Sequence, residues 1–133
     1  MIGRARVVLA EDHPAVLEQL RRLLGESFDV IACVRDGYAL LGAALALRPD
    51  VVVSDVAMPG IDGIEAAAQI RQAMPQMVIV FVSVHDEQAL VDRGLQTGAL
   101  GYVLKNAAGE ELVPAVHAAL RGEQHVSSKL HSA

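Results

Sequence analysis

Short aliphatic runs recur along this chain, and several stop abruptly on a charged side chain. Arg6-Val7-Val8-Leu9-Ala10 runs into Glu11 and Asp12, Val51-Val52-Val53-Ser54 into Asp55, and Gly101-Tyr102-Val103-Leu104 into Lys105. Runs of this length, rich in β-branched residues and lacking a polar break, suit parallel strands buried on both faces. Between them lie longer stretches with apolar residues at helical spacing, such as Val16, Leu17, Leu20, Leu23 and Leu24. That alternation is the pattern of βα units on a parallel sheet.

The expected elements are strands over about 6–10, 29–34, 51–54, 77–82 and 101–104, followed by helices over about 14–24, 38–47, 64–73, 87–96 and 110–120. Pro14 suits a first helical turn, with Asp12 or His13 in capping position, and Gly25 and Gly122 suit helix ends. The apolar run over 39–47 predicts a helix that is largely covered. Short connections and right-handed crossovers predict an α/β fold, a doubly wound five-stranded parallel sheet of flavodoxin-like order 2-1-3-4-5. Strands 1 and 3 are then neighbours, and Glu11, Asp12 and Asp55 meet at the switch point, where ligands bind in open α/β sheets. Three carboxylates and the Lys105 amine there suit a divalent cation and a phosphoryl group.

With 133 residues the chain suits one domain, and its aromatic content of 3% requires an aliphatic core. The net charge of −5 argues against a general nucleic-acid surface and against anionic membranes. No apolar run reaches membrane-spanning length, and the first residues do not read as a signal peptide, so a cytoplasmic location is expected. The single cysteine, Cys33, lies in an apolar run and is expected to be a buried, inert thiol. Residues 1–122 are expected to form the domain, and the polar stretch 123–133 a frayed tail or the stub of a linker.

Four motifs in order carry a resemblance. Glu11-Asp12-His13-Pro14, the loop from Asp55 through Met58, Pro59, Gly60 and Asp62 to Gly63, the Val82-Ser83-Val84-His85 stretch, and Gly101-Tyr102-Val103-Leu104-Lys105 resemble the receiver domain of two-component response regulators. His13-Pro14 and the stretch from Gly101 through Asn106 to Ala107 resemble the NarL/FixJ subfamily, whose receivers precede LuxR-type helix-turn-helix output domains. The resemblance implies that Asp55 accepts a phosphoryl group from the phosphohistidine of a sensor histidine kinase. It implies Mg²⁺ held by Glu11, Asp12, Asp55 and the backbone carbonyl of Ala57, with Lys105 and the Ser83 hydroxyl on the phosphoryl oxygens. Ser83 and Tyr102 would form the switch, Tyr102 swinging inward; a tyrosine at the rim with a wet hydroxyl is the alternative. His85 would influence dephosphorylation, and His13 would be a surface residue.

Such a domain is no enzyme beyond its own phosphorylation and dephosphorylation. Its readout would be homodimerisation and control of transcription through a DNA-binding domain absent from this chain, which is expected to be a truncated regulator or a stand-alone receiver. Two departures from the family pattern stand out. Glu11 occupies a position where many members have Asp, and Asn106 replaces a proline, leaving the Lys105–Asn106 isomer open. Three other functions compete with this reading. An aspartyl phosphatase of the haloacid dehalogenase type wants a second acid at position 57, where this chain has alanine. A dinucleotide-binding module wants G-x-G-x-x-G after the first strand, where Glu11 and Asp12 stand. A receiver-like interaction domain that is never phosphorylated has no need of the full set of acids with Ser83 and Lys105.

Overall fold

The computed structural model describes residues 3–131. The chain runs β1 (Arg6–Ala10), α1 (Pro14–Gly25), β2 (Asp29–Val34), α2 (Gly37–Leu47), β3 (Val51–Ser54), α3 (Gly63–Ala73), β4 (Val78–Ser83), α4 (Gln88–Gln96), β5 (Gly101–Leu104), α5 (Ala108–Leu120) and β6 (His125–Val126). A 3₁₀ turn over Lys105–Ala107 leads into α5, and a second occupies Ser128–His131. All strands are parallel, in the order β2-β1-β3-β4-β5-β6.

The inner strands β1, β3, β4 and β5 are buried on both faces, so their alternation sorts the core into two layers. Val7, Leu9, Val51, Val53, Val80, Val82 and Val103 pack against Leu20 and Leu24 of α1 and Leu112, Ala115 and Val116 of α5. Val8, Ala10, Val52, Ile79, Phe81 and Tyr102 face α2, α3 and α4. Helix starts are capped where the sequence supplies an oxygen. Asp36 accepts from the Ala39 N–H and Asp62 from the Glu65 N–H, each at 2.8 Å. At α1, however, His13 is the cap residue and makes no side-chain capping bond.

Four expectations need correction. The sheet has six strands rather than five: after Gly122, at φ +82°, the chain returns and pairs with β5 over two residues. So short and polar a strand carries no periodicity to read. The tail expected to fray over 123–133 therefore docks through His125–Ser127, while residues 132–133 lie outside the described residues. Cys33 is exposed, because β2 is an edge strand and only part of its surface is covered. Helix α2 buries Gly37, Leu40 and Ala44 but leaves Tyr38, Leu45 and Leu47 exposed, so its apolar outer face is not covered by the described residues. Among the described residues no helix is long and apolar enough to cross a membrane.

Candidate functional site

Parallel strands end on one edge of the sheet, and the residues that follow them form the site. β1 and β3 are neighbours, with Ala10 paired to Ser54. The Asp55 N–H donates to the Ala10 carbonyl at 3.0 Å, and the Glu11 N–H to that of Val34 at 3.0 Å. The ladders thus continue one residue past each strand and present Glu11 and Asp55 side by side. Carboxylate oxygens of Glu11, Asp12 and Asp55 lie within 4.8 Å of one another. Glu11 and Asp55 are buried and Asp12 half-buried.

One cation answers them. Lys105 Nζ lies 2.6 Å from Glu11 Oε1 and 2.9 Å from Asp55 Oδ2. Burial alone would lower the Lys105 pKa; the ion pairs with Glu11 and Asp55 outweigh it and hold the ammonium above its ordinary value. Glu11 Oε2 accepts the His13 N–H at 3.0 Å. Glu11 Oε1 is fully buried and, despite the close ammonium, has no aligned hydrogen bond. A buried carboxylate oxygen without a directed donor is costly. One lysine against three carboxylates also leaves two negative charges uncompensated. Both features fit a divalent cation with hard oxygen ligands.

Around the acids, the β3–α3 loop is held tightly. Gly63 donates its N–H to the Val56 carbonyl at 2.8 Å, and a Cβ at Gly63 would lie 1.8 Å from the Asp55 carbonyl oxygen. Gly60, at φ +79°, supplies the left-handed turn. Gly63 is therefore required by close approach rather than by backbone angle. Exposed Ala57 directs its N–H at Asp55 Oδ1 over 3.4 Å.

Ser83 ends β4, is fully buried, and accepts the His85 N–H at 3.0 Å. Tyr102 is fully buried too; its hydroxyl donates to the His85 carbonyl at 2.8 Å, and its ring lies 6.2 Å from that of Phe81. The inward arrangement is the one present, and the wet rim tyrosine is not. Burial raises the phenol pKa, with Ser83 pulling the other way. The His85 imidazole meets Glu87 at 3.6 Å, so it is the backbone of His85, rather than its ring, that joins Ser83 to Tyr102. No sequence signal marks a backbone amide for that task. His13 is exposed, as expected, and among the described residues every peptide bond is trans, including Lys105–Asn106.

Comparison with known proteins bears on the family and the fold. The family profile described as the response regulator receiver domain matches residues 7–117. The uncharacterized transcriptional regulatory protein YxjL of Bacillus subtilis is 39% identical over 122 residues, covering 90% of this chain and 56% of that protein. The probable transcriptional regulatory protein NarL of Mycobacterium tuberculosis is 37% identical over 129 residues, covering 96% of this chain and 60% of that protein. Among solved structures, a LuxR-family two-component response regulator from Aurantimonas superimposes with a TM-score of 0.92 at 35% identity, over 96% of this chain and 93% of that one. The chain thus spans little more than half the length of these two sequence relatives.

Proposed function

The chain belongs to the response regulator receiver family, and from that premise we propose that Asp55 is its phosphoryl acceptor. A carboxylate oxygen of Asp55 forms a bond to phosphorus as the phosphorus–nitrogen bond of a kinase phosphohistidine breaks, and the departing imidazole nitrogen keeps the bonding pair and takes up a proton. The chemistry asks little of the protein beyond positioning and neutralisation of charge. Lys105 Nζ, already 2.9 Å from Asp55 Oδ2, places an ammonium beside the incoming phosphoryl oxygens. The Ser83 hydroxyl turns from the His85 N–H to a phosphoryl oxygen, and Tyr102 holds its inward position as the switch partner of Ser83.

Receiver domains are generally Mg²⁺-dependent, and Glu11, Asp12 and Asp55 with the Ala57 carbonyl would hold the ion here. When bound it supplies neutralisation of the acids and of the phosphoryl oxygens. The alanine at position 57 offers no acid for hydrolysis, which favours a signalling domain over a phosphatase.

The wider role is part of the same proposal: a sensor histidine kinase as donor, homodimerisation on phosphorylation, a cytoplasmic location, and control of transcription through a DNA-binding output domain. Residues 1–122 are the receiver and 123–133 the connecting segment, the first part of which docks on β5. The observation that carries the reading is the convergence of three carboxylates and one lysine at the carboxyl ends of β1, β3 and β5.

Intact mass after incubation with acetyl phosphate tests it. One phosphoryl adduct that requires Mg²⁺ and disappears in Asp55→Asn is expected. A folded wild type with no adduct and no Mg²⁺ binding would overturn the assignment in favour of an interaction domain that is never phosphorylated.

A further inference from the structure

Five polar side chains are buried among the described residues. Glu11, Asp55 and Ser83 form the site, and Ser54 donates to the Asp55 carbonyl at 2.8 Å. The fifth, Ser127, lies across the sheet, just past β6. Its N–H donates to the Tyr102 carbonyl at 3.0 Å. Its hydroxyl donates to Glu111 Oε1 of α5 at 2.8 Å and accepts the Leu104 N–H at 2.9 Å. Glu111 Oε1 also meets His125 Nε2 at 3.1 Å, so the same carboxylate pins both ends of the short strand.

The backbone ladder between β5 and β6 runs from the Leu100 carbonyl, taken by His125 N–H at 2.8 Å, to that of Tyr102. There the chain turns away into the Ser128–His131 turn, and the Ser127 hydroxyl supplies the acceptor that a longer strand would have offered to Leu104. Leu104 is the last residue of β5, and Lys105 follows it directly into the 3₁₀ turn.

We infer that Ser127 is a positioning residue for Lys105: by holding the Leu104 N–H, with its own hydroxyl oriented by Glu111, it sets where the lysine arm starts and so where Nζ meets Asp55 and Glu11. The inference rests on the reading of Asp55 and Lys105 as the phosphoryl site. Four methylenes separate the Lys105 backbone from its ammonium, and displacement at their root is carried to their tip. Small errors in the placement of a charged group slow a transfer that depends on positioning. The linkage is reciprocal: a phosphoryl group that draws on Lys105 must also bias Ser127 and the segment beyond it.

Three chains decide the matter: wild type, Ser127→Ala and Ser127→Thr, all of full length. The readouts are the rate of adduct formation from acetyl phosphate at saturating Mg²⁺, Mg²⁺ affinity by calorimetry, and melting temperature. Ser127→Ala is expected to slow phosphorylation roughly two- to tenfold with no loss of Mg²⁺ affinity, and Ser127→Thr, which keeps the hydroxyl, to restore most of the rate. A Ser127→Ala chain that melts earlier but reacts at the wild-type rate would reduce Ser127 to an anchor of the tail and overturn the inference. Equal losses of rate and of Mg²⁺ affinity would do the same.

Should Ser127→Ala fail to fold, amide exchange in the wild type decides. Beryllofluoride with Mg²⁺ is expected to slow the Leu104 and Ser127 amides together, and slowing at Leu104 alone refutes the coupling. A wild type that forms no adduct removes the Asp55 reading only. The Lys105 side-chain resonances of Ser127→Ala then judge the positioning claim, upholding it if they shift and rejecting it if they match wild type.

Discussion

Substituting alanine at Gly63 tests whether close approach, rather than chain flexibility, explains the glycine beside the acceptor. The added Cβ would sit 1.8 Å from the Asp55 carbonyl oxygen, 2.9 Å from its carbonyl carbon and 3.0 Å from Ser54 Oγ. Ordinary contact begins at 3.4 Å, so the β3–α3 loop must open by about 1.6 Å. Nothing at the contact is a flexible side-chain end. The Asp55 carbonyl is held by Ser54 Oγ at 2.8 Å, and Gly63 by its own N–H to Val56 at 2.8 Å. Overpacking of this kind costs about 1–3 kcal/mol, and losing the Gly63–Val56 hydrogen bond about 1 kcal/mol more. The smaller entropy of unfolded alanine returns about 0.4–1 kcal/mol. The expected net loss is about 1–3.5 kcal/mol, or a fall in melting temperature of about 3–14 °C for a domain of this size. Urea and thermal unfolding followed by circular dichroism measure it. Phosphorylation of the variant, assayed where it is still folded, should be slowed because Asp55 moves with the loop. Gly42, in the exposed middle of α2 with nothing within 4 Å of its Cβ position, is the control. Alanine there should stabilise by up to about 1 kcal/mol. If Gly63→Ala unfolds within about 0.5 kcal/mol of wild type, a difference ordinary for surface substitutions, and reacts normally, the steric argument fails.

Lys105→Ala removes the only cation that contacts Glu11 and Asp55 among the described residues and should destabilise by about 1–3 kcal/mol. Mg²⁺ should then raise the melting temperature more in the variant than in wild type, and equal shifts would contradict the charge balance described for the site. Tyr102→Phe loses the hydrogen bond to the His85 carbonyl, a cost of about 1 kcal/mol measurable by urea unfolding. Because burial raises the Tyr102 pKa above 10.0, folding favours the neutral phenol. Its contribution to stability is fully present below that ordinary value and is lost as pH rises through the folded one. Alkaline difference spectroscopy should show a late-titrating tyrosine that is missing from Tyr102→Phe. Cys33 is exposed at the β2 edge, and partial burial holds its thiol pKa above the ordinary value despite nearby Arg21. Iodoacetamide should therefore alkylate the native chain slowly near neutrality and faster as pH rises, without prior unfolding.

Much of this was legible in the residues, for reasons that differ from element to element. The Val51–Ser54 run reads as a central strand because burial on both faces leaves no room for polar residues, and that is where it lies. The helices were recognisable from their apolar spacing and from signals such as Pro14 and Gly25, whereas the capping by Asp36 and Asp62 emerged only in the structure. Tyr102 was ambiguous, since a tyrosine suits both a rim and a core; the His85 carbonyl, distant in sequence, accepts its hydroxyl and resolves the choice. The exposure of Cys33 is not legible in sequence, because an apolar neighbourhood does not reveal which strand forms the sheet edge.

By itself, the sequence determined the alternation of strand and helix, the order of the strands from β2 to β5, and the edge where the acids gather. These follow from periodicity and handedness, which act locally. Tertiary structure alone decided that Glu11 Oε1 is buried without an aligned donor, that Gly63 abuts the Asp55 carbonyl, and that Ser127 completes the ladder on β5. Each depends on atoms brought together from distant or unpatterned parts of the chain. A hydrogen-bond partner or a steric limit supplied in that way leaves no periodic trace in the residues that meet.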